Sequence, residues 1–162
     1  MNQKIKAEME KKTKITAEEG KQELTITREF ELPVDLLFKA YSESELVEQW
    51  MGTKVLKLES WNHGSYQFET SYNGSVVFKA NGTIHTFLAN QKIVRTFEIE
   101  NMPIGVQLEF LEFEKLSDQT SKLTTQIIYK SEKHRAEQLK LPFANGLNMA
   151  HDRLQEIFNN QK

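Results

Sequence analysis

The stretch Arg28-Glu29-Phe30-Glu31-Leu32-Pro33, continued by Val34-Asp35-Leu36-Leu37-Phe38-Lys39-Ala40-Tyr41 and closed by Leu46-Val47-Glu48-Gln49-Trp50, decides the fold. Leu24, Ile26, Phe30 and Leu32 alternate with Thr25, Thr27, Glu29 and Glu31, the period of a strand with one buried face. Pro33 offers no N–H to a ladder and ends that strand. Val34, Leu37, Phe38 and Tyr41 then recur at helical spacing. Leu46, Val47 and Trp50 supply the buried side of a second short helix, for which Ser42 or Ser44 is the candidate cap and Gly52 the stop. Trp50 reads as a core anchor. A strand, a proline and two short amphipathic helices in this order suit a fold built around a cavity.

Downstream, from about residue 53 to 130, strand follows strand. Tyr66, Phe68 and Tyr72 share one parity, and Asn73-Gly74 predicts a type I′ hairpin, which needs positive φ at both central residues. Val76, Phe78, Ala80, Ile84 and Leu88 continue the apolar row, and Asn90-Gln91 reads as the next turn. Ile93, Phe97 and Ile99 mark another strand, and Met102-Pro103 a break. Val106, Leu108 and Phe110 follow, then a turn near Ser117-Asp118, then Leu123, Thr125, Ile127 and Tyr129. After a short helical turn over Glu132 to Gln138, Phe143, Leu147, Ala150, Leu154, Ile157 and Phe158 form one stripe of a long helix opened by Pro142. Gly146 interrupts that stripe. It either lets the helix approach the sheet or a ligand closely, or is a tolerated glycine. Short strands with tight turns imply an antiparallel sheet. The expected fold class is α+β: a curved antiparallel sheet of six or seven strands around a long C-terminal helix, with two short helices after the first strand.

Composition narrows the classes. A chain of 162 residues can bury a core, and the expected organisation is a single domain over residues 22–162. Residues 1–21 carry six lysines and four glutamates with few large apolar groups, and read as a charged tail or frayed helix, or alternatively as a docking arm. Without cysteine there is no disulfide framework and no thiolate metal site, which fits a cytoplasmic location. The formal net charge of -2 carries no footprint for nucleic acid. No apolar run is long enough to span a membrane, and the first residues lack the apolar core of a secretion signal.

Three blocks in the right order carry a resemblance. The first is Arg28 to Pro33 with Leu37-Phe38-Lys39-Ala40-Tyr41 and Glu45 to Trp50. The second is Gly82-Thr83-Ile84 with Lys92 to Glu98. The third is Gly146 followed by His151-Asp152-Arg153-Leu154. Over roughly residues 22 to 160 the chain resembles the activator-of-heat-shock-ATPase-like family of START-related proteins. The resemblance implies a helix-grip fold with a hydrophobic cavity between sheet and long helix, and no fixed catalytic motif. START-like relatives bind lipids, sterols, hormones, flavonoid-like compounds or polyketides, and a minority are cyclases or hydrolases. The family name comes from a co-chaperone that stimulates a heat-shock chaperone ATPase. The chain departs from the family pattern at Glu59 to Tyr66, which has one glycine and no arginine, and at Arg95 and Phe97, where an aromatic and a tryptophan are common.

Candidate chemistry is sparse. There is no nucleophile elbow, no phosphate-binding glycine loop and no cofactor motif. His63, His85, His134 and His151 have no helical metal spacing among them, so no metal is expected. Arg95 shares parity with Ile93, Phe97 and Ile99 and should point to the apolar face, where an unpaired guanidinium is costly. It is either an anchor for a ligand carboxylate or carbonyl, or a packed stem whose head reaches solvent or a rim glutamate; Arg28 has the same ambiguity. Glu109 and Glu112 read as solvated. His151, beside the helical stripe, is a boundary residue or faces a cavity mouth as a hydrogen-bonding group or base. The expected ligand-lining set is Tyr66, Phe68, Phe78, Arg95, Phe97, Phe110, Phe143, Leu147 and His151, with no catalytic residue assigned.

Three functions stay open. The leading one is binding of a hydrophobic, lipid-like or aromatic small molecule without catalysis. The second is a chaperone-interacting stress protein with a heat-shock chaperone as partner. The third is a cyclase- or hydrolase-type enzyme.

Overall fold

A computed structural model describes residues 12–160. Strands β1 (Lys14–Thr16) and β2 (Glu23–Phe30) are followed by helices α1 (Val34–Ser42) and α2 (Ser44–Met51). Six strands come next: β3 (Lys54–Leu58), β4 (Ser65–Tyr72), β5 (Ser75–Leu88), β6 (Lys92–Ile99), β7 (Val106–Lys115) and β8 (Ser121–Ile128). Helices α3 (Glu132–Lys140) and α4 (Phe143–Asn159) complete the chain. The strands form one antiparallel sheet in the order β1-β2-β8-β7-β6-β5-β4-β3. It is an eight-stranded, open sheet with α4 on its inner face, the helix-grip arrangement that the family resemblance implies.

Local chemistry explains the joints. The peptide of Pro33 caps α1 without a side-chain bond. Glu43, not Ser42 or Ser44, caps α2, and its side chain makes no capping bond; Gly52 ends that helix in the left-handed region at φ 65°. Asn73 and Gly74 both adopt positive φ, as the hairpin requires. Ser131 caps α3 through its hydroxyl, which accepts from the His134 N–H.

Four expectations need correcting. The segment to residue 21 is not all tail: Lys14–Thr16 pairs with Thr25–Thr27 as an edge strand, and Thr13 is buried. The part of that expectation on residues 1–11 lies outside the described residues. The sheet has eight strands rather than six or seven, because β1 is one of them. On β5 the register shifts between Ile84 and Thr86, so Phe87 rather than Leu88 reaches the core, and Phe38 meets its ring edge-on at 5.1 Å. On β7 the parity is opposite to the one expected: Gln107, Glu109, Leu111 and Phe113 are buried, while Val106 is exposed and Leu108 and Phe110 share its face.

The core has two parts. The larger joins α1, α2 and the end of α4 to the sheet, with Leu37, Trp50, Tyr66, Leu111, Leu154 and Phe158 among its buried members. The smaller gathers Leu24, Ile26, Ile104, Ile127 and Tyr129, with Phe143 and Leu147 partly buried against it. In the larger part Tyr66 lies across Gly82, its register partner, and its hydroxyl donates to the Thr96 carbonyl on the next strand. A Cβ on Gly82 would collide with both groups.

Candidate functional site

Between the two parts of the core lies a cavity of about 370 Å³. Alternation on β6 aims Ile93, Arg95, Phe97 and Ile99 at the inner face, and β7 sends Gln107, Glu109 and Leu111 to meet them. Phe78 of β5, Ile26 of β2, and Thr125 and Ile127 of β8 extend the floor. Tyr41, Trp50 and Met51 close one end. Phe143, Gly146, Leu147, Ala150 and His151 of α4 form the roof, with Gln138 and Pro142 beside them.

An ion pair sits in this floor. Arg95 and Glu109 are direct partners in the β6–β7 register, and Arg95 Nε donates to Glu109 Oε1 at 2.8 Å. Their side chains are only 11% and 8% exposed, so the pair is desolvated. Gln107 Nε2 donates to Glu109 Oε2 at 2.8 Å, which engages both carboxylate oxygens. The guanidinium also lies 5.2 Å from the centre of the Tyr66 ring. Burial opposes the charge on Arg95, but Tyr66 and Glu109 more than offset it and hold its pKa above the ordinary arginine value.

A second polar cluster seals the end nearest β1. Arg28 is buried; its Nη2 meets Asp152 Oδ1 at 2.8 Å, and its Nη1 donates to Thr13 Oγ1 at 3.1 Å. Asn148 Oδ1 accepts from the Thr13 N–H at 3.2 Å. His151 is held on both ring nitrogens: Nδ1 lies 2.8 Å from Thr13 Oγ1 and Nε2 lies 3.4 Å from the Tyr41 hydroxyl. Burial, reinforced by the nearby Arg28 charge and countered by Asp152, pushes the His151 pKa down to about 3. The Tyr41 hydroxyl is pushed above its ordinary value, chiefly by burial. An imidazole that stays neutral to such low pH is a poor proton acceptor, so His151 is a weak candidate for a general base.

Of the residues expected to line a ligand site, Phe78, Arg95, Phe97, Phe143, Leu147 and His151 do border the cavity. Tyr66 and Phe68 are buried in the larger part of the core, their rings 5.1 Å apart, and are not among the lining residues. Phe110 stands on the outer face of β7. Glu109, read as solvated, is buried opposite Arg95, and the head of Arg95 meets that glutamate inside the site rather than at the rim. Arg28 is buried too, but its partner Asp152 is half exposed, so that pair lies at the rim and outside the cavity lining. Trp50 is both core and cavity wall, and its indole N–H donates to the Ala40 carbonyl at 2.7 Å. Tyr41, Gln107, Glu109 and Gln138 were missed. An inward arginine was itself the signal for Glu109, since it demands an anion on an adjacent strand.

The departure at residues 59–64 forms an outer loop. There Trp61 is 55% exposed and Asn62 Oδ1 accepts from the Phe87 N–H at 2.6 Å. The rings of His63 and His85 stand 5.8 Å apart on the surface. Among the described residues no cluster of three or more acidic or histidine side chains is placed to hold a metal ion, and no helix is long and apolar enough to cross a membrane.

Residues 31–159 match the family model described as Activator of Hsp90 ATPase homolog 1-like protein. The chain belongs to that family. A search of curated proteins finds no match. Among solved structures, the chain is similar to a protein from Rhodobacter sphaeroides, at a TM-score of 0.79 and 15% identity over 92% of this chain and 100% of that one. It is similar to one from Mycobacterium smegmatis, at 0.79 and 18% identity over 90% and 95% of the two chains. A solution structure from Arthrobacter aurescens reaches 0.81 at 13% identity, covering 91% of each chain. At these identities the likeness is one of fold, and the helix-grip architecture is what these proteins share with the family member described here.

Proposed function

We propose that this member of the family binds an apolar or aromatic small molecule between its sheet and α4, without catalysis of its own. The observation that carries this reading is the cavity itself: about 370 Å³, within the range of small-molecule sites, with apolar walls around a few fixed polar groups. In its roof, Gly146 is exposed and leaves open space where a side chain would stand. Titrating lipids and flavonoid-like compounds against the labelled protein tests it by amide shift perturbation. Ligands should move the amides of Phe97, Ile99, Gly146 and Leu147. A panel in which no compound moves them ends this reading.

The family match favours a second function over the first, because its description names a chaperone ATPase and no ligand. Exposed apolar side chains suit contact with such a partner, and Leu139 and Leu141 at the α3–α4 junction and Met149 on α4 are exposed. Fold and family name do not by themselves transfer an activity. Turnover of a heat-shock chaperone ATPase, measured with and without saturating protein, decides it: stimulation supports this function, and unchanged turnover removes it.

A further inference from the structure

Resting on the small-molecule reading, we propose that the cavity selects a neutral carbonyl compound with an apolar or aromatic body, and discriminates against the matching carboxylate. An inward arginine invites the opposite conclusion, since guanidinium groups commonly hold carboxylates. Here the anion is already built in. Glu109 sits in register with Arg95, so the pair is neutral before any ligand arrives, and a ligand carboxylate would meet a second carboxylate held at the same guanidinium.

The hydrogen bonds left over define what fits. Among the described residues Arg95 donates only through Nε, so neither of its terminal nitrogens has a protein acceptor. Arginine carries five N–H donors and keeps its proton, so four donors of a cavity-lining residue remain to be satisfied. Each Glu109 oxygen already accepts one bond, from Arg95 and from Gln107. The Gln107 carbonyl oxygen and the whole Gln138 amide also lack protein partners among the described residues, although each residue is only 5% exposed and lines the same cavity. Buried polar groups are normally hydrogen-bonded, so these groups bond water or a ligand. A carbonyl oxygen accepts from the guanidinium without adding charge, and the surrounding Phe78, Phe97, Ile99 and Leu147 take an apolar body.

Three probes of one shape test this: naphthalene, 2-acetylnaphthalene and 2-naphthoate, each titrated into the intact protein at neutral pH and followed by amide shifts. The ketone should bind about tenfold or more tightly than the hydrocarbon, the gain expected of a hydrogen bond to a charged group, and the naphthoate no more tightly than the hydrocarbon. Tightest binding by the naphthoate overturns the proposal, since the guanidinium would then act as a free counter-charge. Equal binding of ketone and hydrocarbon also overturns it and leaves the polar groups to water, while the small-molecule reading survives. Binding of none of the three overturns the proposal, while the small-molecule reading stands or falls with the lipid and flavonoid panel. The double variant Arg95→Met with Glu109→Leu, which exchanges the pair for apolar groups without stranding a charge, should erase the ketone's advantage. An advantage that persists in that variant assigns it elsewhere. If the variant does not fold, the ranking on the unaltered protein still decides.

Discussion

Between Phe143 and Ala150 the last helix buries no side chain fully, whereas from His151 to Phe158 it buries His151, Leu154 and Phe158. Apolar residues recur through both halves, Phe143, Leu147 and Ala150 in the first and Leu154, Ile157 and Phe158 in the second, so amphipathicity does not separate them. What differs is the opposing surface. The second half meets α2, and Arg153 Nε donates to the Trp50 carbonyl at 3.0 Å. The first half faces a floor that carries the Arg95–Glu109 ion pair and Gln107 among its apolar groups. The same stripe thus closes a core at one end and roofs a cavity at the other. Facing residues, more than the helix, decide which.

The sharpest way to break the comparison is to remove one leucine from each half. Leu154→Ala should cost about 2–5 kcal/mol, because the site is closed on all sides and leaves a cavity behind. Leu147→Ala, already facing open space, should fall below that range, at about 1 kcal/mol from lost apolar area alone. Urea unfolding of both variants checks the pair, and equal losses would mean that the two halves pack alike.

Next in size are His151, at the seam between the halves, and Gly82. The folded pKa of His151 is about 3 and the unfolded value about 6.5, so below 6.5 the unfolded chain binds more protons. Stability contributed by this residue is therefore fully present above the unfolded value and is lost as pH falls toward the folded one. The loss should reach about 2 kcal/mol between pH 7 and pH 5. Denaturation at the two pH values should show it, and His151→Gln should flatten that slope. Within the tight region, Gly82→Ala should destabilise by about 1–3 kcal/mol, since the new methyl meets Tyr66 and the Thr96 carbonyl. A melting temperature unchanged by that methyl would contradict the close approach of Tyr66.

The smallest effect has the opposite sign. Gly146→Ala adds a methyl where nothing lies within 4 Å and should stabilise the helix by about 0.5–1 kcal/mol. A stabilised variant that also binds probes differently would sharpen the assignment of this half as roof.

The parts that were legible share a physical reason. On β6, Ile93, Phe97 and Ile99 alternate cleanly, so Arg95 was placed on the inner face from its neighbours alone. The two short helices, the Asn73-Gly74 hairpin and the stripe of α4 were legible because they are local periodicities or local φ requirements. On β7 the run Val106 to Phe113 is apolar at 106, 108 and 110 and again at 111 and 113, so the pattern supports both faces. The tie is broken by a long-range need, the anion for Arg95, which period counting does not contain. β1 was hidden for a related reason. Three residues, Lys14-Ile15-Thr16, have no period to count, and they become a strand only because β2 offers an edge. At Ile84 a register shift moved the burial from Leu88 to Phe87, and alternation has no means of announcing a bulge.

The pairing of β2 with β8 has a consequence for how the chain folds. Glu23 is matched to Ile128, and Thr13 bonds to His151 across 138 positions of sequence. The ladder waits for residue 128 and the clasp for residue 151. Loop closure of that length comes before the contacts that reward it, so folding should fall in the slow, millisecond-to-second regime of non-local topologies. During synthesis β3 to β7 can zip as successive hairpins, while β2 waits for its neighbour. The clasp at Thr13 and His151 joins the earliest described part of the chain to its last helix, and its closing marks the end of that wait.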